Sequence, residues 1–465
     1  MKTYHLGEYD GVELSVALTD DLDDALVRHV DKGPDQEDLC FAYWRPSDGS
    51  KRLTAVLFQL NLPRDGERLL QGNVAFQSDY LARVLEECPA GSGIALVHSH
   101  LGPGWQGMSV DDVVAERDRV AGVVASRTRL PALGMTWGTD GTWSARFWLR
   151  ADRRQYERRD ATRVRVVGKR LRMSYHPRLS PASDIPDSQE ATVSVWGEDA
   201  QLDLARLRVG IVGLGSVGSI VGEALARTGV QHLALIDADR IEPRNLDRTL
   251  GAGPEDVGAY KVQVAERQAR LSHTADVFDV DAVAERVQDP GGLGAVLNCD
   301  VLICCVDRPW PRHVLNVISN AHLIPMIDGG ILAVVDDKKR LVHIDWRIHT
   351  VGPGRACVYC LDAVRRSDAA LDRAGRLDDP DYVAGLSAED RARFSRRNVF
   401  AFSLSVASHE VLQLVGLVTE KARVGGIGPQ HYHAYPGRMD VEPTRTCNGD
   451  CDLLQSTAST CNPVG

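Results

Sequence analysis

Several features are missing from this sequence, and each absence narrows the class. There is no positive excess: 54 Lys and Arg stand against 64 Asp and Glu, a formal net charge of −10, which argues against a nucleic-acid-binding protein. The opening MKTYHLGEYDG has no apolar secretory core, and no apolar run approaches membrane-spanning length. The expectation is therefore a cytoplasmic protein with no membrane partner. No GxxxxGK[ST] stretch occurs, so this is not a P-loop enzyme. Internal repeats and low-complexity tracts are also missing. What remains is ordinary globular composition, 43% hydrophobic and 25% charged over 465 residues, too long for one core and long enough for two or three domains. The ten cysteines of a cytoplasmic chain are thiols or metal ligands before they are disulfides.

The order of elements predicts an α/β protein. In the first part, Thr19 caps a helix carrying Leu22, Leu26 and Val30, LCFAYW and LTAVLFQL are strands, and SDYLARVLEE is a helix. GIALVHSH is a further strand and SVDDVVAERDRVAGVV a capped helix. This gives an N-terminal α/β domain over residues 1–155. Residues 156–195, basic in RRQYERRDATRVRVVGKRLR and turn-rich after it, are expected to be a linker. From 196 to 465 the run RVGIVG, SVGSIVGEALARTGV, HLALIDAD forms a βαβ unit, continued by the buried parallel strands DVLICCVD and LIPMIDGG. The second domain is thus a Rossmann-like, doubly wound α/β fold.

Residues 98–112, HSHLGPGWQGMSVDD, concentrate ligand chemistry. His98 and His100 share a face because alternate residues of a strand do. Asp112, one turn into the next helix, closes a facial set of two imidazoles and a carboxylate. The fourth tetrahedral position stays open for water, as in a catalytic rather than a structural zinc. A glutamate earlier in the domain is the natural general base.

This segment resembles the JAB/JAMM metalloprotease family, whose members cleave peptide or isopeptide bonds at ubiquitin-like C-termini. Its pattern is an early Glu, His-x-His, a spacer and Ser-x-x-Asp, here Glu37, His98, His100, Ser109 and Asp112. The resemblance implies Glu37 as base, the histidines and Asp112 as zinc ligands, and Ser109 as donor to the oxyanion. The spacer is eight residues, where the commonest eukaryotic form has seven. Glu67, Glu86 and Glu87 compete with Glu37 for the base, and Asp111 competes with Asp112.

A second motif starts at Val209. Gly213, Gly215 and Gly218 give GxGxxG between strand and helix, with Asp237 at the end of the next strand to hold ribose hydroxyls. Alone this fits NAD. Asp239, Asn245, Arg248 and Lys261 follow within reach of a phosphate tail, and Asp307 ends another parallel strand where magnesium could bind. Positive groups with a magnesium carboxylate suit ATP better than a dinucleotide. In order, GLGSVGS, LIDADRIEPRNLDR, VGAYK and CCVDRPWPR resemble the ThiF/MoeB/HesA adenylyltransferases, the ubiquitin-activating type, from about residue 196 to the end. The resemblance implies that Asn245, Arg248 and Lys261 contact phosphates and that Asp307 binds magnesium. A C-terminal carboxylate would attack the α-phosphate, in a homodimer joined through this domain.

Cys357 and Cys360 form one close pair and Cys447 and Cys451 another, which together read as a four-cysteine structural zinc site with Cys461 as a spare. Cys304 and Cys305 read as core, and His431 and His433 as one face of a surface strand. Between Cys360 and Cys447 there is no cysteine to carry a thioester, and Ser395 stands near where one would be expected. Either a tail cysteine, Cys461, carries the acyl group or the adenylate passes straight to a partner, and direct transfer is the expectation.

Together the motifs predict a bifunctional enzyme of a bacterial ubiquitin-like pathway. It would adenylate a ubiquitin-like protein, cleave its precursors or conjugates, and work with a conjugating-enzyme-like protein. Such modules resemble bacterial ubiquitin-like operons, some linked to phage defence. The alternatives are a sulfur-carrier or peptide adenylyltransferase, and an NAD-binding or inactive scaffold protein.

Overall fold

A computed structural model describes residues 6–71, 73–336, 338, 340–387, 390–391, 394, 397–419 and 427–459. The chain divides into two compact units, the first running to Ala182 with 457–460, the second from Ser183.

In the first unit the strands are β1 (Glu13–Thr19), β2 (Leu39–Asp48), β3 (Arg52–Asn61), β4 (Arg68–Gln71), β5 (Asn73–Phe76), β6 (Gly93–Ser99), β7 (Ala132–Trp137), β8 (Trp143–Asp152), β9 (Gln155–Asp160), β10 (Arg163–Val167) and β11 (Leu171–Tyr175). Nine of them form one mixed sheet in the order β11-β10-β1-β3-β2-β6-β7-β8-β9, and β4-β5 is a separate hairpin. The apolar run of β2 lacks alternation because both faces of the sheet are covered. Cys40, Ala42 and Trp44 join one core cluster with Leu26 and Val30 of the helix Asp20–Val30, while Leu39, Phe41 and Tyr43 join another with Tyr80, Val84, Val120 and Val124. Thr19 caps the first of these helices by accepting from the Leu22 amide at 3.2 Å. The run from Val110 to Thr128 is helical throughout, with a π-helical middle, Val114–Ala121.

The expected boundary at 155 and the linker over 156–195 are corrected here. Residues 155–175 form β9, β10 and β11 of this sheet. Two of the arginines that suggested a solvated connector are buried: Arg163 is 5% and Arg165 1% exposed, and Arg163 reaches Glu13 on β1 at 3.1 Å, while Arg153, Arg154, Arg158 and Arg159 are exposed. Ion pairing let basic residues into the core, which composition alone does not reveal.

The second unit contains β12 (Arg208–Val212), β13 (His232–Ile236), β14 (Asp279–Val283), β15 (Val301–Cys304), β16 (Met326–Val335), β17 (Leu341–Val351), β18 (Gln430–His433) and β19 (Arg438–Val441). They form one sheet in that arrangement, β14-β13-β12-β15-β16-β17-β18-β19. The pairs from β14 to β16 are parallel and the rest antiparallel. The order reverses beside β12, the place where open α/β sheets bind nucleotides.

The helix Phe400–Val418 packs against β16, β17 and the helix Gly218–Arg227. By length and composition it is apolar enough to cross a bilayer, with half of its apolar window buried. This corrects the expectation that no segment reaches that length; Ser403, Ser405, Ser408 and His409 interrupt the apolar run in sequence. Its inner face carries Glu410 and Gln413, both buried, and Gln413 accepts from Thr350 Oγ1 at 2.9 Å.

Candidate functional site

In the first unit, β6 presents Ile94, Leu96 and His98 on one face, toward the helical run 110–128. His98 is 5% exposed, at the strand's carboxyl end. Its Nε2 lies 3.2 Å from His100 Nε2 and 3.4 Å from Asp112 Oδ1, and His100 Nε2 lies 3.2 Å from Asp112 Oδ2. A tetrahedral zinc with bonds of about 2.0 Å has ligand–ligand edges of about 3.3 Å. Three donor atoms already spaced at those edges fit a small divalent cation. The group is one of three among the described residues that could hold a metal.

A capping box positions Asp112. Its Oδ2 accepts the Ser109 amide at 2.7 Å, and Ser109 Oγ accepts the Asp112 amide at 3.1 Å. The Ser109 hydroxyl proton is thus free to donate. Asp111 is exposed and outside the donor set. Glu37 lies two residues before β2, half-buried; burial raises its carboxyl above the usual value, with His100 and His98 pulling the other way and Asp112 adding to the rise. The competing glutamates are engaged elsewhere or apart from the donors: Glu67 pairs with Arg83 at 2.6 Å and Glu87 with Arg83 and Arg64, both at 3.2 Å.

Beside the His98 donor nitrogen stands a chain with no local signature in the sequence. Thr136 Oγ1, 3.4 Å from His98 Nε2, accepts from Arg146 Nη1 at 2.7 Å. Arg146 in turn forks onto the buried Glu116, its Nε 2.9 Å from Oε2, and Trp148 Nε1 donates to the same oxygen at 2.7 Å.

In the second unit, a cleft of about 2000 Å³ opens at the β12 end of the parallel strands. Its lining includes Gly213, Gly215, Asp237, Asp239, Asn245, Arg248, Lys261 and Asp307. The three glycines have different reasons. Gly213 sits at φ +90, and a Cβ there would lie 2.7 Å from the Cys305 carbonyl oxygen; a Cβ on Gly218 would lie 1.9 Å from that of Gly213. Gly215 faces open space, where backbone can approach a phosphate.

Asp237 holds this loop by accepting from the Leu214 amide at 2.6 Å and the Asp239 amide at 2.7 Å. Burial raises its carboxyl, against the pull of Lys261. Lys261 Nζ bridges Asp239 at 2.8 Å and Asp237 at 3.9 Å. Asn245 Oδ1 accepts from the Glu242 amide at 3.0 Å. Arg248 is tied to the Arg244 carbonyl and to Asp247. Asp307 is exposed on the loop after β15.

Sequence reasoning gave no role to Arg312, Asp328, His349 or Glu410, which form a buried ionic cluster beneath the cleft. Arg312 donates to the Val306 and Gly329 carbonyls at 2.8 and 2.9 Å, and its Nε lies 2.8 Å from Asp328 Oδ1. His349 Nε2 lies 3.3 Å from Asp328, and Cys305 Sγ donates to Glu410 Oε2 at 3.6 Å. The available signal was the charge inside the apolar run LIPMIDGG.

Burial and then the Asp328 charge push the Glu410 carboxyl well above its usual range. Folding therefore holds a proton that the unfolded chain releases above about pH 4.3, and stability carried by the neutral form is lost as pH rises toward the folded value. Glu410→Gln should consequently raise the denaturation midpoint, by more at pH 8 than at pH 5. Denaturant titrations at the two pH values check this.

Cys357, Cys360, Cys447 and Cys451 converge, with one Sγ pair 3.8 Å apart, the edge of about 3.8 Å expected around a zinc with 2.3 Å bonds to sulfur. The Cys357 amide donates to Cys447 Sγ at 3.2 Å. This cluster could hold zinc. Cys304 is buried and Cys305 borders the cleft. Ser395 and Cys461 lie outside the described residues.

Comparison with known proteins follows the second unit. The chain is 29% identical over 147 residues to ubiquitin-like modifier-activating enzyme 5 of Drosophila willistoni, covering 28% of this chain and 35% of that protein. It is 30% identical over 146 residues to tRNA threonylcarbamoyladenosine dehydratase of Escherichia coli, covering 30% and 52%. With adenylyltransferase and sulfurtransferase MOCS3 of Caenorhabditis briggsae it shares 27% over 174 residues, covering 37% and 41%. The chain thus spans between about a third and a half of these relatives' lengths. Among solved structures, Escherichia coli MccB with MccA-N7isoASN aligns at TM-score 0.43 and 18% identity, over 58% of this chain and 75% of that one. Residues 187–380 match the ThiF family model, and this segment is a ThiF-family adenylyltransferase domain.

Proposed function

We propose that the protein is a two-site enzyme that activates the C-terminal carboxylate of a ubiquitin-like protein with ATP and cleaves peptide or isopeptide bonds at such tails with zinc. The observation that carries the first activity is the cleft itself, where a glycine loop free to approach phosphate faces Lys261 and Asp307 within a ThiF-family segment. When bound, magnesium would neutralise the triphosphate, and Asp307 and Asp239 are the carboxylates placed to hold it. The chain's own residues do the rest: Asp237 orients ribose, and Lys261, Arg248 and Asn245 hold phosphate oxygens while pyrophosphate departs. ATP–pyrophosphate exchange that depends on a candidate ubiquitin-like protein tests this activity. NAD binding without ATP binding would sink it.

The second activity is supported by the three donors spaced at 3.2–3.4 Å beside Glu37. A zinc held there would polarise a carbonyl and acidify water. Glu37 would take the proton and Ser109 would donate to the developing oxyanion. Glu37→Ala should retain the metal and lose cleavage of a ubiquitin-like fusion by ~10²-fold or more, as loss of a general base does, whereas His98→Ala should lose both. Cleavage that survives in Glu37→Ala would remove Glu37 from this role.

The stretch between Cys360 and Cys447 contains no thiol and Cys461 is the one cysteine after the first zinc pair with no zinc role; in this reading the adenylate is handed directly to a partner, a conjugating-enzyme-like protein. A gel without reductant, after incubation with ATP, magnesium and the ubiquitin-like protein, should show no reductant-sensitive adduct on the chain. A sulfur-carrier or peptide substrate is the second reading, favoured by the same lack of a thiol and by the likeness to MOCS3. Transfer of sulfur rather than protein would identify it.

A further inference from the structure

The antiparallel extension of the second sheet gathers a set of metal-type donors that neither proposed activity uses. We propose that Asp345, His431 and His433 bind a first-row divalent cation, of which zinc is the reference ion, in the wall of the nucleotide cleft. The inference stands apart from the adenylation reading, since an ion can bind here whether or not ATP does.

The register builds the site. His431 and His433 are two apart on β18, so their rings share a face, with centroids 4.2 Å apart. Asp345 on β17 lies directly across from His433. Its carboxylate is 3.3 Å from His433 Nδ1 and 4.0 Å from His431 Nε2, and one donor atom of each residue lies within 4.8 Å of the other two.

A second observation points the same way. The opposite nitrogen of His433, Nε2, faces Asp440 Oδ2 at 3.4 Å, and Asp440 is held by Arg438 at 2.6 Å. A carboxylate behind an imidazole keeps the proton on the far nitrogen and turns the near lone pair toward a metal. With Asp440 taking the Nε2 proton, Nδ1, 3.3 Å from Asp345, would be the nitrogen offered to a metal. Two imidazoles and one carboxylate without thiolate suit zinc, nickel or copper, whereas calcium and magnesium prefer all-oxygen sets. The site also has room for an outside ligand. Asp345 and His431 line the same cleft as Gly213, Gly215 and Asp307, and the His431 side chain is 50% exposed.

The test uses the full chain carrying His98→Ala, which removes the N-terminal donor set. Protein is dialysed to equilibrium against zinc chloride and metal per chain is measured by mass spectrometry. Adding His431→Ala and His433→Ala should remove one equivalent and leave the four-cysteine equivalent in place. Asp345→Asn, nearly isosteric, should weaken the same equivalent tenfold or more. Equal zinc in the parent and the double variant overturns the proposal. Should the double variant not fold, His431→Gln decides, and zinc affinity unchanged in that variant overturns the proposal equally.

Discussion

Asp307→Ala should lower ATP–pyrophosphate exchange by ~10²–10³-fold, the cost typical of losing one fixed electrostatic partner of a developing charge. The loss should fall on exchange alone. Asp307 is exposed on the loop after β15, so its truncation opens no core cavity, and the one charge it takes from the cluster beneath is its pull on Arg312. Zinc bound by the four cysteines should be unaffected, because those residues belong to different segments. The experiment therefore has an internal control: exchange measured beside metal content and denaturation midpoint. Exchange that persists at the parent rate would remove Asp307 from the magnesium site. Exchange lost together with the fold would instead assign the residue a structural role.

Glu116→Ala should destabilise the first unit by about 3–5 kcal/mol, the range for removing one partner of a buried ion pair. Glu116 is 1% and Arg146 2% exposed, so the guanidinium would be stranded in apolar surroundings. Trp148 Nε1, which donates to Glu116 at 2.7 Å, would lose its acceptor as well. The effect should extend to metal binding. Arg146 donates to Thr136, whose Oγ1 lies 3.4 Å from His98 Nε2, the donor nitrogen itself, so disturbing this pair should disturb the donor set and lower zinc affinity. Denaturant unfolding of the full chain, followed by tryptophan fluorescence, measures the first effect, and zinc affinity in the His431→Ala/His433→Ala background measures the second. A midpoint equal to that of the parent would show that the pair contributes nothing net.

Local chemistry was the most legible part of this chain. The Thr19 and Ser109 caps depend on residues three apart, and the glycine loop depends on six consecutive positions, so sequence displays their causes directly. Strand β2 was also legible, as an apolar run too short for a helix. The four cysteines were legible over a long separation because few other residues ask for that chemistry. Opposite-charge burial was not. Arg163 looked like part of a solvated linker until Glu13, on the neighbouring strand, was placed beside it. Arg312 and Asp328 sit on consecutive elements and Glu410 on a helix far along the chain, and none announces a partner. For the same reason His431 and His433 carried no visible meaning without Asp345, which only the β17–β18 register brings across.

The four-cysteine cluster also changes the connectivity of the second unit. Cys357 and Cys447 are 90 positions apart, so a metal bridging them would make the intervening chain a ring. A clasp across a loop of that size restricts the unfolded chain by roughly 4–5 kcal/mol in the chain-entropy picture. Within a closed ring, changes in length have little effect on closure, since each doubling adds only about 0.6 kcal/mol. The helix Phe400–Val418 and strand β18 lie inside that ring, and Val406 and His431 from them line the nucleotide cleft. A clasp at the base of the ring would therefore hold one wall of the cleft in place, and its removal should loosen that wall before the glycine loop.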